Sequence, residues 1–142
     1  MNSRHLGIFA LALMLATACG DATGLEPADL QGTWVANSMV FTSTADPTLT
    51  VDLIAGGTAL SLQLAADGMF LWTLTEVGAA PATSTGAYSV VGSTLTLTAA
   101  GTSEAFTITR DGNNMTLTAN DEYDFDEDGL DEAAMLRVTL TR

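Results

Sequence analysis

Between Leu30 and Thr141 the chain keeps returning to one pattern, in which large aliphatic residues alternate with threonine. In STLTLTA, Leu95 and Leu97 face one way and Thr94, Thr96 and Thr98 the other. FTITR repeats this with Phe106 and Ile108, MTLTA with Met115 and Leu117, LRVTLT with Leu136, Val138 and Leu140, and LSLQLA with Leu60, Leu62 and Leu64. A period of two is the signature of a strand with one buried and one wet face; an α-helix, with its period of 3.6, would scatter these leucines around its circumference. Threonine suits the wet face because its β-branched side chain favours strand and its hydroxyl meets water. The runs recur at short, even spacing, which predicts an all-β antiparallel protein. There is no longer repeat and no amphipathic helix of ordinary length.

Turn chemistry separates the runs. Asp67-Gly68 divides LSLQLA from MFLWTLT, and Asp111-Gly112-Asn113-Asn114 divides FTITR from MTLTA. Both stretches carry residues that tolerate the left-handed backbone of tight hairpins. Gly92-Ser93 and Ala100-Gly101-Thr102 are softer versions. The predicted strands are eight, at about residues 32–42, 58–66, 69–76, 84–91, 94–99, 104–110, 114–120 and 134–141. Residues 46–57 are open between an extension of the first or second strand and a short helical turn.

Strands joined by hairpins leave two raw edges unless the sheet closes. The expectation is therefore an eight-stranded antiparallel up-and-down barrel, with a two-sheet sandwich as its competitor. At this strand number a barrel is either filled by its own side chains or holds one small ligand. Leu30-Gln31-Gly32-Thr33-Trp34 opens the first strand, and this LQGTW resembles the glycine-x-tryptophan opening of lipocalins and lipocalin-like bacterial domains. The resemblance covers residues 30–142. It implies that Trp34, after Gly32, plugs one end of the barrel and that an arginine on a late strand packs across its ring. Arg142 shares the parity of Leu136, Val138 and Leu140 and is the candidate. The chain is shorter than a full-length lipocalin, and an acidic loop is not part of that family's general pattern.

The first eighteen residues do not belong to the barrel. Arg4 and His5 precede an apolar run, LGIFALALMLA, and then Thr17, Ala18 and Cys19, the order of an export signal. Eleven apolar residues rise only about 16 Å as a helix, roughly half of a hydrocarbon core. LATAC, residues 15–19, resembles the lipobox of bacterial lipoproteins, although Ala16 stands where that class prefers leucine. The resemblance implies that Cys19, the only cysteine, is acylated and becomes the mature N-terminus, with more than one acyl chain holding it durably to a membrane. Gly20 after the cysteine points to the outer membrane, and Asp21 leaves the destination open. The expected organisation is a signal peptide over 1–18, a lipidated cysteine and short tether over 19–29, and a barrel over 30–142. At about 3.3 Å per residue the tether keeps the domain within roughly 35 Å of its anchor.

All seventeen acidic residues follow Cys19, and the cations beyond it are Arg110, Arg137 and Arg142, with no lysine anywhere. Three arginines against seventeen carboxylates leave −14 beyond the signal. Such a surface repels phosphate backbones, which excludes nucleic acid as a partner, and repels anionic headgroups, so the expected contact with a membrane is through lipid. Eight of the acids fall between Asp121 and Glu132. Within that stretch Asp124, Asp126 and Asp128 alternate ahead of Gly129, followed by Asp131 and Glu132. Oxygen ligands at alternate positions can converge on a hard cation while glycine turns the chain sharply. The stretch resembles the aspartate-rich calcium loops of EF-hand-like and thrombospondin-repeat sequences, which implies Ca2+ as ligand. It departs from the EF-hand in lacking flanking helices and in placing Met135 where a bidentate glutamate belongs; Asp131 or Glu132 could supply that ligand. The alternative is a solvated hairpin loop that discourages aggregation.

Phe70, Trp72, Leu74, Tyr88 and Phe106 are candidates to line an apolar cavity, against the alternative of a filled core. Met39, Met69, Met115 and Met135 read as gap fillers. Catalysis has little support, since the only histidine precedes the lipobox, no lysine exists and the acids cluster in one wet loop rather than around a cleft. No enzyme activity is expected. The sequence leaves two readings: a lipid-anchored envelope protein that binds or carries a small hydrophobic molecule, or a calcium-stabilised structural or interaction module, such as an inhibitor, whose loops meet another envelope protein.

Overall fold

The computed structural model describes residues 24–142. The expected signal peptide, Cys19 and residues 20–23 of the tether lie outside the described residues. The chain opens with one helical turn, α1 (Pro27–Leu30), followed by β1 (Gly32–Ser43), β2 (Thr50–Asp52), β3 (Ala59–Leu64), β4 (Met69–Thr75), β5 (Ala82–Val91), β6 (Thr94–Ala99), β7 (Thr102–Asp111), β8 (Asn114–Tyr123) and β9 (Glu132–Thr141). Each strand from β3 to β9 pairs antiparallel with the next, β1 pairs with β3, and β1 also pairs with β9 from Val35↔Thr141 to Ser43↔Ala134. That last ladder closes an eight-stranded barrel and excludes the sandwich. The architecture is consistent with a lipocalin-like fold.

The leucine face is the interior. Leu60, Leu62, Leu64, Leu95, Ile108, Met115, Leu117, Val138 and Leu140 are all buried, and burying each such side chain is worth about 1.5 to 3 kcal/mol. Parity changes once. Trp34 and Ala36 face inward from even positions of β1, whereas Met39, Phe41 and Ser43 do so from odd ones, because the register against β9 shifts between Ala36 and Ser38. An extra residue there, at Asn37, turns the strand over and lets both halves reach the core.

Residues 46–57, open at the level of sequence, form β2 and a turn beyond it. β2 lies on the edge of β1 that β3 leaves free, pairing Val40↔Asp52 to Thr42↔Thr50, while β3 takes Gly32 to Val35. Asp52 fills the break between the two ladders. Its Oδ1 accepts hydrogen bonds from the backbone N–H of Met39 (3.1 Å), Ile54 (3.0 Å) and Ala55 (3.3 Å). A backbone donor stranded between partners would otherwise cost about 1 to 3 kcal/mol.

One end of the barrel is plugged. Leu30 and Trp34 are fully buried, and the Trp34 indole N–H donates to the Leu30 carbonyl at 2.7 Å. The Arg142 guanidinium lies 4.6 Å from the centroid of the Trp34 ring, and its Nη1 donates to the Gln31 carbonyl at 2.6 Å. Gly32 takes φ +128°, and a Cβ there would stand 3.7 Å from Arg142 Nη1. Gly32, Trp34 and Arg142 thus meet at a single point. The opposite end carries the β1–β2, β2–β3, β4–β5, β6–β7 and β8–β9 connections and no plug of this kind among the described residues.

Gly86 is a close approach within the wall. A Cβ at this position would run into the backbone of Thr98 and Ala99 on β6. Since backbone in a closed barrel cannot swing aside as a side chain can, Gly86→Ala is expected to destabilise the chain by about 3 kcal/mol, measured by urea unfolding. A loss below about 0.5 kcal/mol, the range of neutral surface changes, would show that β6 yields freely.

Candidate ligand-binding mouth and acidic loop

At the unplugged end, on the side built by β4 to β7, the interior is not filled. A cavity of about 310 Å³ is lined by Phe70, Trp72, Ser84, Leu97, Ala99, Thr102, Glu104 and Phe106. Space exists because β5 and β6 contribute the small side chains of Ser84 and Ala99 at inward positions on adjacent strands. Trp72 and Phe106 form its aromatic wall, their rings stacked with centroids 6.3 Å apart and planes 19° apart. Of the five residues expected to line a pocket, Phe70, Trp72 and Phe106 do so. Leu74 packs half-buried against the core without reaching this space. Tyr88 points the other way, its hydroxyl donating to the Ala65 carbonyl at 2.9 Å near the plugged end. A larger hollow of about 520 Å³ lies at that plugged end, where Gly24 and Leu25 cross Gly92, Ser93 and Arg110. It is a groove beneath the N-terminal segment with no aromatic wall, so the smaller mouth cavity is the better candidate.

Ser84, Leu97, Ala99, Thr102 and Glu104 line the cavity without having been singled out from the sequence, and Glu104 is the charged one among them. It shares the inward parity of Phe106 and Ile108, so a carboxylate aimed at the lumen was visible in TSEAFTI had the alternation been followed two residues further. Its surroundings are unusual. The ladder between β7 and β8 stops at Thr107↔Thr118, while β7 stays paired to β6 back to Thr102 and β8 stays paired to β9 up to Tyr123. The wall therefore splits above Thr107, with Glu104 on one lip and Asp121 on the other. Glu104 remains in contact with water, yet the apolar wall beside it strips enough solvent to raise its pKa above the ordinary 4.5, and the Asp121 charge adds to the rise.

The acidic loop crowns the same end. Phe41 stacks on Tyr123 at 4.9 Å, and Tyr123 meets Phe125 edge-on at 5.1 Å, which roots the loop in the barrel. Beyond these aromatics the carboxylates turn on their own backbone. Asp124 accepts from the N–H of Asp128 (3.1 Å) and Gly129 (2.9 Å), Asp128 accepts from Leu130 (2.9 Å), and Glu132 accepts from Phe125 (2.8 Å). Gly129 takes φ +89° at the sharp bend. As a result one oxygen each from Asp124, Asp126, Asp128 and Glu132 gather within 4.8 Å of one another. Oxygens on opposite sides of an ion bound at about 2.4 Å would be about 4.8 Å apart, so this all-oxygen set has the span a hard divalent cation requires. Asp131 is not drawn in. Glu132 begins β9, and chain alternation sends its neighbour to the other side.

No protein-family model matches the chain, and no curated protein matches it.

Glu104 supplies a test of the mouth's electrostatics. Because folding raises its pKa, the ionised form is the strained one: the contribution to stability is complete below about pH 4.5 and is lost as pH rises through the folded value. Glu104→Gln is expected to match the parent chain near pH 4 and to exceed its urea midpoint near pH 7. An equal difference at both pH values would show that the carboxylate is no less hydrated than in the unfolded chain.

Proposed function

We propose that this chain is a lipid-anchored protein of the bacterial envelope whose barrel binds or carries a small hydrophobic molecule. The mouth cavity, walled by Trp72 and Phe106 and sized for a compact ligand, is the observation that supports it. Acylation at Cys19 and residence in the outer membrane rest on the lipobox resemblance and the export signal ahead of it. The reading assigns no catalytic step. It also assigns no nucleic-acid partner, since −14 beyond the signal repels phosphate. The experiment is to purify the full chain from bacterial membranes and examine it by native mass spectrometry and solvent extraction. A co-purifying small molecule is expected, together with an acyl mass that Cys19→Ser removes along with membrane partition. An interior that yields no small molecule and takes up no apolar reporter dye would end the carrier reading.

A second reading is supported by the convergence of Asp124, Asp126, Asp128 and Glu132. In this reading Ca2+ sits in the loop and pins the β8–β9 hairpin, and the loops at this end meet an envelope protein. The ion's role is structural, because it screens eight acids in twelve residues. With no bidentate glutamate at the usual place, affinity falls in the weak extracellular range of about 10⁻⁴ to 10⁻³ M. Calcium at roughly tenfold excess over such a Kd should stabilise the chain by about 1.4 kcal/mol, a few degrees in Tm. Asp126→Asn combined with Asp128→Asn should remove the shift. If equimolar magnesium raises the midpoint as much as calcium, the loop is a solvated turn.

A further inference from the structure

We propose that the ligand of the mouth cavity is a small organic cation, an aromatic or aliphatic body carrying a protonated amine, with Glu104 as its counter-ion. This rests on the carrier reading above and specifies the chemistry of the ligand.

Three observations converge on it. The first is placement: Glu104 lines the same cavity as Trp72 and Phe106, so an apolar wall and one carboxylate confront the same space. An apolar body against that wall leaves a charged end of the ligand at the lip where β7 and β8 part. The second is the absence of an internal partner. Among the described residues the ion pair is Arg110 with Asp29, 3.7 Å apart, at the plugged end; Arg142 is spent over Trp34 at that same end. Arg137 lies on the outward face of β9, between Val40 and Thr118. Among the described residues no arginine is paired with Glu104, and the charge felt across the split is the like charge of Asp121. A carboxylate partly stripped of water and facing another carboxylate is unfavourable on its own, and a cation placed there relieves both costs. The third is the aromatic wall itself. The face of Trp72 or Phe106 attracts a cation electrostatically, so wall and carboxylate favour the same ligand charge rather than opposing ones.

An anionic ligand such as a fatty acid is disfavoured by the same geometry, because its carboxylate would have to emerge between Glu104 and Asp121 beneath the acidic loop. The charge of the whole unplugged end draws cations toward the mouth before they bind.

The test uses three probes with one apolar body and three charges: 2-naphthylmethylamine, 2-naphthylmethanol and 2-naphthoic acid. Each is titrated calorimetrically into the full chain carrying Cys19→Ser, which removes the acyl group without touching the barrel. The amine is expected to bind about tenfold more tightly than the alcohol, the margin of one charge-assisted hydrogen bond, and the acid more weakly than either. Glu104→Gln should bring the amine down to the alcohol while leaving the alcohol unchanged, and a thermal melt establishes that this variant is folded. Equal binding of amine and alcohol, or a preference that survives Glu104→Gln, overturns the counter-ion assignment while leaving the apolar carrier standing. Failure of all three probes to bind overturns both.

Discussion

The ladder between β1 and β9 is the contact on which the rest of the molecule depends. These strands stand at opposite ends of the described chain, and bringing them together carries the largest loop-closure cost in the fold. In return, neither strand keeps a row of unpaired amides and carbonyls, and every inward side chain acquires a full set of neighbours. The bulge at Asn37 sits within this seam, which is where a change of parity is cheapest, because β1 is also exchanging β3 for β2 on its other edge. The Asp52 carboxylate holds that exchange together from the outside. Immediately below the seam, Trp34 and Arg142 bring the first and last described strands into a second contact, so closure and plug support each other.

Charge is distributed along the barrel axis. Arg110 and Arg142 lie at the plugged end, beside the helical turn, while the eight acids of residues 121–132 crown the other. Like charges at this density raise the energy of the folded chain unless they are screened, and the crown is the best screened place available because it projects into water. A strongly one-signed rim also acts at a distance, enriching cations at the end of the barrel where the aromatic-walled cavity lies.

That interior has two characters. Toward the plug, leucine, isoleucine and methionine fill it, and the barrel is solid. Toward the crown, Ser84, Ala99 and Thr102 are too small to fill the lumen, and the cavity opens there. The question of container against brick therefore resolves by height within one barrel. Its lower half is a core and its upper half a cup.

Much of this architecture was legible in the residues. Period-two alternation depends only on which face of a strand each side chain takes, a local property, and it located every barrel strand together with the burial of Leu60, Leu95, Ile108 and Val138. Glycine marked the hairpins because so few residues tolerate the positive φ that Gly68, Gly92, Gly101 and Gly112 adopt there. The parity of Arg142 was readable because β9 contains no bulge. What the residues left open were matters of adjacency between distant strands. Whether the sheet closed depended on the summed twist and stagger of all its strands, which no short window contains. The inversion at Asn37 had no sequence mark, since asparagine and serine fit a regular outer face equally well. Leu74 and Tyr88 were placed in a pocket they do not line because alternation specifies in or out but not height. Glu104 and Asp121 became neighbours, and Glu132 rather than Asp131 joined the carboxylate cluster, only once the strands had been set side by side. Inward direction is written into the chain one residue at a time; proximity across the barrel comes into being only when register is established between strands.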